Sequence, residues 1–188
     1  DYFNQHELRP CLGSLEEISH WLSEGGGPAS LHVDTGFNRL GLPQTDIPNL
    51  PAEFDPCLLM SHLACADQPD HPMNEQQLAA FAKIKQSFPN TPASLANSAG
   101  TLMGPDYHQD LVRVGIGLYG GSPMRDGKSA GDVVATLHAP VLQTRYVAAG
   151  QTIGYGATFT AQKKMKIAVL SVGYADGFPR LLGQDTKT

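Results

Sequence analysis

The stretch Leu111-Val112-Arg113-Val114-Gly115-Ile116-Gly117-Leu118-Tyr119-Gly120-Gly121 sets a cation inside a β-forming run and follows it with closely spaced glycines. An arginine in such a run is expensive to bury unless acceptors wait for it. Gly115 and Gly117 let the backbone come close to a ligand. A fixed cation beside exposed amides suits an anionic or aromatic small molecule. Further short stretches combine small residues with polar side chains at predicted strand ends. They are Asp34-Thr35-Gly36-Phe37-Asn38-Arg39-Leu40-Gly41, Ser61-His62-Leu63-Ala64, Ala96-Asn97-Ser98-Ala99-Gly100 and Val172-Gly173-Tyr174-Ala175-Asp176-Gly177. In a parallel α/β barrel the carboxyl ends of the strands form the active site, and phosphates bind between the last βα loops. The Ser98 hydroxyl and the amides of Gly115 to Gly117 are donors that suit a dianion.

Each residue also has a plainer reading. Arg113 fits a structural ion pair, His62 a satisfied core histidine, Arg39 a surface loop cation, and Tyr174 a phenol with one hydrogen bond. A metal site from His62, Cys65, Asp67 and His71 is disfavoured, because the spacing fits no standard site and prolines interrupt it. No metal is expected.

The elements that must position these residues follow from pattern. Leu8 to Ser14 reads as a short strand running into a helix start, with Ser14 and Glu17 at capping-box spacing and Ile18, Trp21 and Leu22 as the apolar stripe. Gly25-Gly26-Gly27-Pro28 stops that helix, and Ala29 to Val33 is the next strand. This strand-helix-strand unit is the repeat of parallel α/β folds. Gly41 to Pro56 reads as a loop with a short helix, and Cys57 to His62 as a third strand. Asn74 is expected to cap an amphipathic helix with Leu78, Phe81, Ala82 and Ile84 facing the core. Ala93 to Ala96 is a fourth strand and the arginine stretch a fifth. Beyond the polar segment Ser122 to Gly131 the texture changes. Val133 to Leu142, Gln151 to Phe159 and Lys166 to Val172 read as β without intervening helices. The boundary falls near residues 125 to 132, giving 1–127 as an α/β barrel or open sheet and 128–188 as a β-domain.

Composition narrows the function classes. With 41% hydrophobic residues the 188-residue chain can build a core, and its net charge of -5 without a basic run argues against a nucleic-acid partner. No apolar segment approaches the roughly 20 residues that cross a bilayer, so no membrane partner is expected. Asp1-Tyr2-Phe3-Asn4-Gln5 does not read as a signal peptide. Cys11, Cys57 and Cys65, odd in number and without a CxxC pair, read as free thiols of a reducing cytoplasm.

Taken together, H-V-D-T-G-F-N-R-L-G, S-H-L-A, A-N-S-A-G, V-R-V-G-I-G-L-Y-G, G-Y-G-A-T-F-T and V-G-Y-A-D-G-F-P-R resemble alanine racemase, in family order and over nearly the whole chain. The resemblance implies a pyridoxal 5'-phosphate (PLP) enzyme interconverting L- and D-alanine by a two-base mechanism. It implies a cytoplasmic homodimer that serves either D-alanine supply, as a peptidoglycan precursor, or alanine catabolism. The implied fold is the second half of a (β/α)8 TIM-type barrel followed by part of a C-terminal β-domain. No lysine stands in a V-K-A-N-A-Y-G context, so the segment that anchors the cofactor covalently is missing. The chain is therefore expected to be a fragment, inactive as written. By the same resemblance Tyr174 is the second base, acting in the partner subunit's site, and Arg113 faces the pyridine nitrogen with His62 behind it. Ser98, Gly115 and Ile116 hold the phosphate, Asn97 lies beside them, and Arg39 meets the cofactor and the substrate carboxylate. His32 stands where many members carry a carbamylated lysine, which suggests a bound anion such as chloride beside Arg39. Ser94 replaces a frequent histidine, and Tyr155 is a candidate for the substrate entrance. The alternatives are a broader-specificity racemase and a non-catalytic PLP- or phosphate-binding or dimerisation module.

Overall fold

The computed structural model describes residues 2–127 and 131–178. The chain divides into two compact units, Asp1–Ala135 and Thr136–Thr188.

The first unit is built on a parallel sheet in the order β1-β2-β3-β4, from β1 (Cys11–Leu12), β2 (Ser30–His32), β3 (Leu58–Met60) and β4 (Ala93–Ser94). Helix α1 (Tyr2–Gln5) precedes it, α2 (Leu15–Ser23) connects β1 to β2, and α3 (Pro72–Lys85) connects β3 to β4. Register places Leu12, Leu31, Leu59 and Ala93 in one row across the sheet, all buried in the main core with Ile18 of α2 and Phe81 and Ile84 of α3. One residue further on, His32, Met60 and Ser94 form the next row, on the opposite pleat. One face of the sheet is thus an apolar floor for the helices, and the other carries polar groups towards the strand ends. Complete burial of Phe81 contributes about 1.5–3 kcal/mol.

The start of α2 follows the expected capping chemistry with one shift. The Glu17 amide donates to Ser14 Oγ at 3.1 Å, while the Glu17 carboxylate accepts from the Gly13 amide at 2.7 Å, one residue ahead of the cap. Helix α3 corrects the reading of Asn74 as its cap. Pro72 is pre-set for the first turn and has no amide to lose, so the helix starts earlier, and His71 Nδ1 accepts from the Met73 amide at 3.2 Å. Asn74 lies inside the helix and is fully buried, whereas Ala82, expected in the core, is exposed.

The arginine stretch is not a strand. Leu111 to Val114 is irregular, and Ile116–Tyr119 forms a 3-10 helix. The Leu111 and Arg113 amides do reach the Ala93 carbonyl of β4 and the Ala96 carbonyl just beyond it, at 3.2 and 2.9 Å. The return bond is diverted: Asp110 Oδ2 takes the Ala93 amide at 2.9 Å. The Gly115 and Gly117 amides turn to Ser98 instead of a ladder.

The second unit holds two antiparallel pairs: β5 (Val141–Val147) with β8 (Met165–Leu170), and β6 (Thr152–Ile153) with β7 (Phe159–Thr160). The expected strand Val133 to Leu142 is displaced. Val133, Val134 and Leu137 are exposed outside any strand, and β5 begins only at Val141. No helix among the described residues is long and apolar enough to cross a membrane.

Candidate functional site

A cavity of about 470 Å³ opens at the carboxyl ends of β3 and β4, and its lining includes Phe37, His62, Asn97, Ser98, Arg113, Gly115 and Ile116. Ser98 is buried, and its Oγ accepts from the Gly115 amide at 2.8 Å and from the Gly117 amide at 3.3 Å. With both contacts accepted, the hydroxyl proton remains available to donate. A Cβ on Gly115 would meet nothing within 4 Å, so the backbone there borders open space. Asn97 opens α4 (Ser98–Leu102) by accepting from the Gly100 amide through Oδ1 at 2.9 Å. Its side chain therefore fixes the Ser98 turn.

Among the described residues Arg113 is anchored by neutral acceptors only. One guanidinium nitrogen donates to the Ser94 carbonyl at 3.0 Å and to Ser94 Oγ, and the other donates to the Ser61 carbonyl. The plain ion-pair reading does not hold: among the described residues no carboxylate lies within ion-pair distance of Arg113, whereas Lys85 and Asp110 pair at the surface. Burial lowers the Arg113 pKa, partly offset by Cys11, yet a guanidinium remains charged at neutral pH. That uncompensated charge acts on its neighbours. His62 is held below its ordinary pKa by burial first, then by Arg113, Arg39 and His32. His32 is lowered by burial and then by Arg113, with Asp34 opposing. Both imidazoles are neutral at physiological pH, and neither can supply a negative charge to steer Arg39.

The loop after β2 is wound around Asp34. Its Oδ1 accepts from the Gly36 and Phe37 amides at 2.8 Å, and the Asn38 amide reaches both carboxylate oxygens at 3.2 and 3.0 Å. Gly41, at φ +113°, lets the chain return to β2, where the Leu42 amide donates to the His32 carbonyl at 2.8 Å. The Arg39 guanidinium stacks over the Phe37 ring at 4.3 Å, and that ring meets His62 in a T-shaped contact at 5.5 Å. Arg39 lines a neighbouring cleft with His32, Cys11 and Glu17, so Phe37 is its link to the main cavity.

Beneath these loops lies a buried network that the sequence reading missed. Gln77 of α3 is fully buried. Its Nε2 donates to Thr35 Oγ1 at 3.0 Å and to the His62 carbonyl at 2.9 Å, and its Oε1 accepts from the Ala64 amide at 2.8 Å. Thr35 and Ser61 hydroxyls share a further bond at 2.8 Å. Because Thr35 Oγ1 already accepts from Gln77, its proton is free to go to Ser61. Asn74 Nδ2 spans the Cys65, Gln68 and Pro69 carbonyls at 3.2, 2.9 and 3.2 Å. The only sequence signal was an amide on the core-facing side of α3, three residues from another amide.

Of the residues singled out from the sequence, Arg113, Ser98, Asn97, Gly115, Ile116 and His62 share one cavity, and Arg39 stands beside it. Tyr174 belongs to the second unit, in the 3-10 turn Tyr174–Asp176, where the Gly173 amide donates to Asp176 Oδ2 at 2.9 Å and the phenol is exposed. Tyr155 is also strongly exposed, in the turn Tyr155–Ala157.

Comparison with known proteins converges on one family. Residues 1–123 match the family described as alanine racemase, N-terminal domain, and residues 134–188 match alanine racemase, C-terminal domain. The biosynthetic alanine racemase of Agrobacterium fabrum is 46% identical over 187 residues, covering 94% of this chain and 48% of that protein. The catabolic alanine racemase of the same organism is 42% identical over 186 residues, covering 93% and 48%. Among solved structures, the biosynthetic alanine racemase of Pseudomonas aeruginosa superposes with a TM-score of 0.82 at 35% identity, covering 95% of this chain and 53% of that one. The Bartonella henselae alanine racemase with covalently bound pyridoxal phosphate gives 0.77 at 34% identity, covering 96% and 54%. The chain spans about half the length of the curated relatives it matches. The architecture is part of a TIM-type barrel followed by part of a C-terminal β-domain, and the chain belongs to the alanine racemase family.

Proposed function

We propose that the gene product carrying this chain is a PLP-dependent alanine racemase, interconverting L- and D-alanine. The observation that carries this reading is the convergence of the Arg113 guanidinium, the Ser98 hydroxyl and the Gly115-Ile116 backbone on one cavity. That set fits a phosphorylated pyridine: the Ser98 proton and the Ile116 amide for the dianion, the Gly115 amide once it passes from Ser98 Oγ to the phosphate, and a cation for the ring. PLP, when bound, acidifies the α-proton of the amino acid by spreading the charge left at the α-carbon.

The chain's own residues then have separable tasks. Ser98, Gly115 and Ile116 would hold the phosphate, the Gly115 amide turning to it from Ser98 Oγ, with Asn97 fixing the turn that presents Ser98. Arg113, a pure donor, would be the group to face the pyridine nitrogen and would leave it without a proton of its own. His62 packs behind it as a neutral ring. Arg39 orients the substrate carboxylate. Tyr174 takes or returns the α-proton on one face, and its phenol must be stabilised as phenolate to do so near neutral pH. In this reading residues 1–127 hold the cofactor and residues 128–188 supply the tyrosine to the partner subunit of a homodimer. A cytoplasmic role in making D-alanine for peptidoglycan accords with it.

The test is D-alanine formation from L-alanine by the intact gene product with added PLP. Tyr174→Phe is expected to lower kcat by about 10²- to 10⁴-fold. Full activity in Tyr174→Phe removes the phenol from the mechanism, and an inactive wild-type protein overturns the reading.

A further inference from the structure

We infer that Phe37 is a positioning residue for substrate recognition: its ring face fixes the Arg39 guanidinium plane and leaves the in-plane N–H donors free for a carboxylate. The inference rests on the racemase reading for the identity of that carboxylate, the one on the amino acid substrate.

A guanidinium can be fixed in two ways. A carboxylate partner takes its N–H edge, and with it the donors that a substrate would need. An aromatic ring takes the π face and leaves the fork unused. Asp34 is the acid nearest in sequence, but its oxygens are occupied by the amides of Gly36, Phe37 and Asn38. Glu17, in the same cleft, accepts from the Gly13 amide at 2.7 Å, and among the described residues what Arg39 has is the Phe37 ring, at 4.3 Å.

The ring itself is held. Its backbone amide is one of those bound to Asp34, and its side chain meets His62 at 5.5 Å with planes 73° apart. The Ala64 amide and the His62 carbonyl are tied to Gln77, so the surface that Phe37 leans on is rigid. Phe37 also lines the main cavity, whereas Arg39 lines the cleft next to it. The stack therefore carries the order of the cavity wall out to the cation, and binding a carboxylate no longer has to freeze a free arginine side chain.

The experiment uses propionate, the carbon frame of alanine without its amine, titrated calorimetrically into the intact gene product. Phe37→Leu and Phe37→Met are expected to weaken propionate binding by about three- to fivefold, the range for a partly exposed cation–π contact. Phe37→Tyr and Phe37→Trp, which keep a ring face, restore it. In turnover the same variants raise KM for alanine by a similar factor with kcat changed less than about twofold. Wild-type propionate affinity in Phe37→Leu and Phe37→Met overturns the inference. So does failure of both aromatic variants to rescue, or the absence of propionate binding in every form. Racemase failure with a ring-dependent propionate affinity would sink the functional reading and leave the stack standing.

Discussion

Replacing Gln77 by Leu removes the amide that stitches α3 to the loops after β2 and β3. Gln77 is fully buried and makes bonds of 3.0, 2.9 and 2.8 Å to Thr35 Oγ1, the His62 carbonyl and the Ala64 amide. Each such bond is worth about 1 kcal/mol net, so the sum is about 3 kcal/mol. The Ala64 amide and the His62 carbonyl are then left dry and unpaired, at about 1–3 kcal/mol each. Burying leucine instead returns about 1.5–3 kcal/mol. The balance is a loss of about 2–7 kcal/mol, a large share of the roughly 5–15 kcal/mol that holds a domain folded. Urea denaturation reads the total, and hydrogen exchange reads the place. Exchange at the Ala64 amide should speed up by about 30-fold or more, as the lower end of about 2 kcal/mol implies. Thr35→Val combined with Gln77→Leu should show coupling of at least about 0.5 kcal/mol, since both residues share one bond. A loss below about 1 kcal/mol with unchanged exchange at Ala64 would refute the network as the support of the site.

Gly41→Ala tests the return of the Arg39 loop. At φ +113° an added Cβ would lie 2.9 Å from the Asp34 nitrogen and 3.0 Å from the Val33 carbonyl carbon, both backbone. The expected cost is about 2 kcal/mol or more, seen as a lower denaturation midpoint. The histidines predict a pH effect. His32 and His62 have native pKa values below the ordinary 6.5, so on acidification the unfolded chain takes up protons before the native one. Stability is therefore level above about pH 6.5, falls as pH drops towards the native values and flattens below them. Urea midpoints between about pH 7 and pH 5 check the sign, and a midpoint that rises on acidification contradicts it. Arg113→Met should raise both native pKa values and make the fall shallower, as read by NMR titration.

The sequence disclosed the scaffold where one signal decided the outcome. Ser14 and Glu17 mark the start of α2, and the apolar residues between glycine and proline breaks became the buried row Leu12, Leu31, Leu59 and Ala93. It misled where two signals competed. Val112, Val114, Ile116 and Leu118 have strand content, but the glycines between them freed amides that Ser98 draws away from a ladder. Val133 to Leu142 has the same β-forming content, yet its valines stay exposed and pairing starts with β5. Asn74 and Gln77 were illegible for a different reason: a buried amide and a solvated one are the same letter, and only tertiary partners tell them apart. Motif order singled out the residues that share the main cavity, His62, Asn97, Ser98, Arg113, Gly115 and Ile116, and gave no sign of the ring stacked on Arg39, because stacking has no spacing signature.

The most direct measurement is a crystal structure of the intact gene product soaked with PLP. The account predicts the phosphate against Ser98 Oγ and the amides of Gly115 and Ile116, with Arg113 opposite the pyridine nitrogen. A phosphate seated elsewhere, or an Arg113 that meets neither ring nor phosphate, would contradict it.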